Sequence, residues 1–269
     1  MTENTITDWD DAYANAAYIP GAGDYASRWE EDARAFRNAW GAKELDIAYG
    51  VGEREKLDIF RPEGTAKGLV VFVHGGYWLR FDKSYWSHFA QGALTDGWAV
   101  CLPSYDLAPH VRIADITQQI GSAINLAASR VEGPVRLSGH SAGGHLVTRM
   151  VSDDSPLNAD TLQRVVKVVS ISGLHDLRPL CKTQMNDAFK MSEEDAASES
   201  AALMDPVGEC PVVAWVGGQE RPEFLRQSRL LSEVWQNASY HEDAGLHHFD
   251  VIDGLKDQKS ALCSTLLQN

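Results

Sequence analysis

Apolar positions along this chain follow two periods that alternate from one segment to the next. Leu69-Val70-Val71-Phe72-Val73 is wholly apolar and β-branched in character, the pattern of a strand covered on both faces. Other segments repeat apolar residues at helical spacing. In order, the pattern predicts a helix over 24–40, with Trp29, Ala33, Phe36 and Trp40 on one stripe and Asp24 as its cap. Short strands follow near 44–49 and 56–60, with a turn at Arg61-Pro62-Glu63-Gly64. Next come strand 69–73, helix 84–95, strand 98–102, helix 111–129, strand 134–138, helix 142–151 and strand 165–171. Such alternation predicts a mostly parallel sheet with helices on both faces, an α/β fold.

The alternation stops after Gly173. Residues 175–206 hold no strand pattern but carry small residues and the acidic run Ser192-Glu193-Glu194-Asp195. This segment follows the C-terminal end of a strand, where ligands bind in open α/β sheets, so a small helical cap is expected there. Strand 211–216, helix 222–236, a short strand near 238–242 and a closing helix after Asp250 complete the pattern. One domain over 1–269 is expected, with residues 1–43 as its N-terminal helical segment.

Composition narrows the partners. A net charge of −14 argues against nucleic acid and anionic membranes. Cys101, Cys181, Cys210 and Cys263 are scattered without a C-x-x-C pair, as reduced thiols of a cytoplasmic protein would be. Met1-Thr2-Glu3-Asn4-Thr5 has no basic or apolar leader character, and no run of ~18 apolar residues is present. A small-molecule substrate is the expected partner; self-association as a homodimer stays open.

Two motifs carry chemistry. Gly139-His140-Ser141-Ala142-Gly143 lies between a predicted strand and a predicted helix, the setting a G-x-S-x-G nucleophile elbow requires. Its glycines let the chain turn sharply and lift Ser141 clear of the sheet. His74-Gly75-Gly76-Tyr77-Trp78 follows strand 69–73, where a glycine loop completes an oxyanion hole. The amides of Gly76, Tyr77 and Ala142 are the candidate donors to a tetrahedral intermediate.

A serine hydroxyl needs a histidine base and a carboxylate to orient that base. In this fold they follow in the order Ser, acid, His. Glu220 is the first carboxylate past strand 211–216 and is preferred over Glu223, a helical turn on, and Asp205, before the strand. The closing loop Gly245-Leu246-His247-His248-Phe249-Asp250 offers two bases, of which His248 is preferred over His247. Neither histidine has partners at metal-ligand spacing, so no metal and no cofactor is implied. His74 is expected to hold the glycine loop, His140 to occupy the free position of the elbow, and His145 and His175 to be structural.

With these residues in place, the chain resembles the kynurenine formamidase (arylformamidase) branch of the α/β-hydrolase superfamily, near the hormone-sensitive-lipase-like esterases. The likeness rests on His74-Gly75-Gly76-Tyr77-Trp78, Leu57-Asp58-Ile59-Phe60-Arg61-Pro62, Ser104-Tyr105-Asp106-Leu107-Ala108-Pro109, Ser172-Gly173-Leu174-His175-Asp176-Leu177 and His248-Phe249. One departure is Glu220 where many members carry Asp. The resemblance implies hydrolysis of an aryl formamide, N-formylkynurenine, to kynurenine and formate. Tyr77 and Trp78 are then expected to shape a small formyl pocket and Phe249, with Phe81 or Trp86, an aryl slot. A short-chain carboxylesterase would use the same apparatus, and a non-catalytic ligand-binding protein is the alternative of another class.

Overall fold

Each predicted strand is present in the computed structural model, which describes residues 6–268; Met1–Thr5, read above for a leader, lie outside the described residues. The strands are β1 (Lys43–Ala48), β2 (Lys56–Phe60), β3 (Leu69–Val73), β4 (Ala99–Pro103), β5 (Val135–His140), β6 (Val165–Ile171), β7 (Val212–Gly217) and β8 (Ala238–Asp243). They form one sheet in the order β1-β2-β4-β3-β5-β6-β7-β8. β2 is antiparallel to both β1 and β4, and every pairing from β4 across to β8 is parallel. After β3 the chain adds β4 on one side and β5 on the other. The sheet therefore reverses direction there, and the crevice beyond the strand ends is where such sheets bind ligands.

Alternation of side chains across the strands explains why both faces are covered. The first five helices are α1 (Trp9–Ala12), α2 (Ala22–Ala39), α3 (Gln91–Thr95), α4 (Ile113–Arg130) and α5 (Ala142–Arg149). Leu69, Val71 and Val73 point into one core with α4 and α5, through Ile116, Ile120, Leu146 and Val147. Val70 and Phe72 point into the other, with Trp29, Trp86, Phe89 and Leu262. The same division recurs on β7, where Ala214 faces the first core and Trp215 the second.

Three predicted helices differ from expectation. The segment 84–95 is two 3-10 turns, Lys83–Tyr85 and Ser87–Ala90, followed by a short helix, Gln91–Thr95. Asp82 caps the first turn through Ser84, while Trp86 is pinned among Trp29, Phe81 and Phe89, so tertiary packing sets the backbone here. The closing segment likewise opens with a 3-10 turn, Val251–Lys256, before a helix over Ala261–Leu267. The first long helix runs Ala22–Ala39 and starts behind Gly21 at φ +69°, so Asp24 sits in its first turn instead of capping it. There its charge opposes the positive end of the helix dipole. Residues 175–206 contain the short helices Asn186–Phe189 and Glu193–Ser198 and two 3-10 turns, the helical content expected of them.

Candidate active site

β5 ends at His140, and α5 begins at Ala142, leaving Ser141 alone at the corner with φ 55° and ψ −116°. Side-chain-bearing residues seldom occupy that region, and such strain clusters at functional sites. The corner is held by Ser141 N donating to Ile171 O at 2.8 Å and His145 N to Ser141 O at 3.2 Å. The motif glycines supply clearance. A Cβ on Gly143 would stand 2.0 Å from the Val73 carbonyl oxygen, and one on Gly139 would stand 2.1 Å from that of Gly143.

Glu220 and His248 meet as a buried pair, with Nδ1 2.5 Å from Oε2. Because the carboxylate accepts the Nδ1 proton, Nε2 is the nitrogen left free to act as a base. The other carboxylate oxygen accepts from Ser172 Oγ at 2.5 Å and Gly217 N at 2.8 Å. Ser172, at φ 53°, was given no role by its sequence context. His140 is also committed: its Nε2 donates to the His248 carbonyl at 2.8 Å, and the two rings lie 4.7 Å apart. The residue preceding Ser141 thus holds the loop that carries His248. Phe224 supports the other side of His248 at 4.5 Å. His248 is hydrogen-bonded to Glu220 and His140 but not to Ser141 Oγ; nucleophile–base contacts are often long without substrate.

The rivals are occupied elsewhere. His247 Nδ1 accepts from Phe249 N and Asp250 N, capping its own loop, while its Nε2 meets Tyr25 Oη at 3.3 Å. The Glu223 carboxylate takes Tyr13 Oη at 2.9 Å and a bidentate grip from Arg226. Asp205 is exposed. Glu220→Gln tests the pairing, since an amide presents the wrong partner to Nδ1–H. We expect kcat to fall by about 10⁴ in steady-state assays, as when the acid of a serine triad becomes its amide. A loss below tenfold would remove Glu220 from the role.

The loop after β3 faces the elbow: a Cβ on Gly75 would lie 3.0 Å from the Ser141 Cβ. Gly76, Tyr77 and Trp78 all have positive φ, at 115°, 53° and 55°. Among the described residues, the amides of Gly76 and Tyr77 donate to no protein acceptor. Ala142 opens α5, where the first amides lack intrahelical acceptors. His74 braces the loop as expected, with Nδ1 2.8 Å from the Gly75 carbonyl and its ring stacked 4.3 Å from Tyr105.

The side chains expected beside substrate are placed differently from one another. The indole of Trp78 is fully buried, edge-on to His145 and Phe189, so it packs the cap against α5 instead of facing an open pocket. The Tyr77 hydroxyl is engaged by the N-terminal segment, donating to Tyr13 O at 2.6 Å. Phe249 is half-buried against Tyr25, Trp29 and His248. Trp86 is buried, whereas Phe81 is half-buried against Gly76.

Burial dominates the remaining electrostatics. It pushes His74 down to about 4 and both His145 and His175 down to about 3. His140 is held well below its ordinary value by burial, with the neighbouring His248 adding to it. All four are neutral in the folded protein near pH 7. Unfolding lets them bind protons once pH drops below ~6.5, so the unfolded state gains protons first and stability falls as pH falls toward 4. Glu199 and Asp58, raised by burial, shift the other way and reduce the slope. We expect the urea midpoint to decline steadily from pH 7 to pH 4.5; a flat profile would mean these rings are not buried neutral.

The alpha/beta hydrolase family model matches residues 70–258, and the chain belongs to that family. It is an enzyme of the class that cleaves amide or ester bonds. Within that class it is arylformamidase-like: it is 31% identical to a kynurenine formamidase of Salmo salar, over 83% of this chain and 81% of that protein. A solved structure from Silicibacter sp. TM1040, described as a candidate thioesterase, is 50% identical with a TM-score of 0.95, over 97% of this chain and 99% of that one. Esterase B from Lactobacillus rhamnosis shares the fold at 17% identity and a TM-score of 0.67, over 96% of this chain and 93% of that one. No described helix is long and apolar enough to cross a membrane.

Proposed function

We propose that this protein is a serine hydrolase that cleaves an aryl formamide of the N-formylkynurenine type. The observation that carries the chemistry is the buried His248–Glu220 pair, anchored by His140 next to the strained Ser141. Support for the substrate comes from the kynurenine formamidase of Salmo salar, similar along four-fifths of both chains.

In this reading Ser141 Oγ attacks the formyl carbon while its proton passes to His248 Nε2. The carbonyl oxygen becomes an oxyanion received by the amides of Gly76, Tyr77 and Ala142. Collapse breaks the C–N bond, and His248 returns the proton to the leaving arylamine nitrogen. Water then enters, gives a proton to His248 and attacks the formyl ester. Ser141 leaves with that proton, and formate is released. A formyl group carries only hydrogen beyond its carbonyl carbon, so it fits a site so close that a Cβ on Gly75 would stand 3.0 Å from the Ser141 Cβ. Phe249, against His248, and Phe81, against Gly76, are the aromatic side chains that would receive the aryl ring.

The name of the Silicibacter structure favours a second reading, a thioester or short-chain ester as substrate. Comparing kcat/KM for N-formylkynurenine, p-nitrophenyl acetate, p-nitrophenyl butyrate and a short acyl-CoA separates the two. The formamide should exceed butyrate and the thioester by at least tenfold; the reverse order would replace the formamide with an acyl ester or thioester.

A further inference from the structure

The family match begins at residue 70, yet elements before it reach the candidate site. Residues 9–18, a helical turn over Trp9–Ala12 and a 3-10 turn over Ala16–Tyr18, lie across three loops at once. Asp11 pairs with Arg221 beside the acid, and the Asp10 carboxylate accepts Gln184 N of the cap at 2.7 Å. Tyr13 Oη donates to Glu223 at 2.9 Å and accepts from Gln227 Nε2 at 3.2 Å. Gln227 in turn holds the amides of His175 and Asp176, each at 2.8 Å. The third attachment is to the glycine loop. Tyr77 Oη donates to Tyr13 O at 2.6 Å and accepts from Asn15 Nδ2 at 3.4 Å. Tyr13 and Asn15 are both buried, at 2% and 6% exposure, so water does not compete for these bonds.

That attachment falls where backbone conformation matters most. Tyr77 and Trp78 are consecutive side-chain-bearing residues at positive φ. Such backbone persists only where its surroundings over-determine it. Behind the loop, Trp78 is fixed by His145 and Phe189. In front, the Tyr77 ring has the strap.

We propose that the N-terminal strap, through the carbonyl of Tyr13 and the amide of Asn15, is a positioning element that holds Tyr77 and thereby aims the Gly76 and Tyr77 amides at the oxyanion. Tyr77 has a double part. Its amide is the donor, and its phenol is the tether that keeps the donor in place. This inference rests on the serine-hydrolase reading, and its test is run beside Ser141→Ala so that the two can fail separately.

Tyr77→Phe removes the tether and keeps the ring. We expect kcat to fall about 10- to 100-fold, less than or equal to the loss of one oxyanion donor, with KM within about twofold. The rate constant for inactivation by an aryl phosphonate, whose adduct also places an oxygen in the hole, should fall by the same factor. Asn15→Ala removes the weaker bond, and we expect a threefold to tenfold loss of the same kind, below the cost of losing a single donor. Thermal unfolding identifies a variant that does not fold; if Tyr77→Phe is one, Asn15→Ala carries the test. Unchanged kcat in the folded variants, or a raised KM at constant kcat, overturns the proposal: the first makes the strap merely structural, the second makes it a substrate contact. If Ser141→Ala stays active, the hydrolase reading itself has failed.

Discussion

Ser141→Ala is expected to lower kcat by about 10⁵ to 10⁶ while leaving the fold and KM nearly unchanged. The magnitude follows from what the hydroxyl does. In the proposed mechanism no acyl-enzyme forms without it, and only the oxyanion amides and substrate binding remain to assist attack by water. Folding should not suffer, because alanine keeps the Cβ and the corner is held by backbone bonds to Ile171 and from His145. The φ of 55° is tolerated equally poorly by alanine, so stability should stay close to that of the parent. The check is steady-state kinetics on N-formylkynurenine with thermal unfolding as the control. More than a tenth of wild-type kcat in the variant would remove Ser141 as nucleophile.

His248→Ala should be as damaging, with kcat lowered by about 10⁶, because base and nucleophile act as one unit and losing either forfeits both. The neighbouring residue supplies the contrast. His247 caps its own loop and touches Tyr25, so His247→Ala should cost less than about tenfold in activity; what it loses is mainly loop order, a cap-like contribution of about 1 kcal/mol. Measuring both variants under one set of conditions tests the preference for His248 over the adjacent His247 that the sequence suggests. Equal losses in the two would contradict the assignment.

Much of this site was legible because it is built from short-range patterns. The elbow needs glycines where Val73 O and Gly143 O leave no room for a Cβ, and that requirement is written in consecutive residues. The glycine loop is marked by the apolar strand before it, and Glu220 by its place after β7. What escaped notice pairs residues remote in sequence. Ser172 supports Glu220 across 48 positions, and Tyr13 meets Tyr77 across 64. Neither contact leaves a periodic trace. His140 was read as occupying a free position because the motif leaves that position open, although its ring carries the His248 carbonyl. The helix expected over 84–95 failed for a related reason. Ser84, Tyr85, Trp86, Ser87, His88, Phe89 and Gly92 are weak helix formers, and Trp86 is fixed by Trp29, Phe81 and Phe89, contacts invisible to a local reading.

Everything proposed here depends on the hydroxyl at position 141 being made nucleophilic by the imidazole at 248. Titration with an aryl phosphonate, followed by peptide mass mapping, addresses that dependence directly. The account predicts complete inactivation at one equivalent per chain, a single adduct on Ser141, and labelling slowed by several orders of magnitude in His248→Ala. An adduct on another residue, or full turnover after Ser141 has been modified, would contradict it.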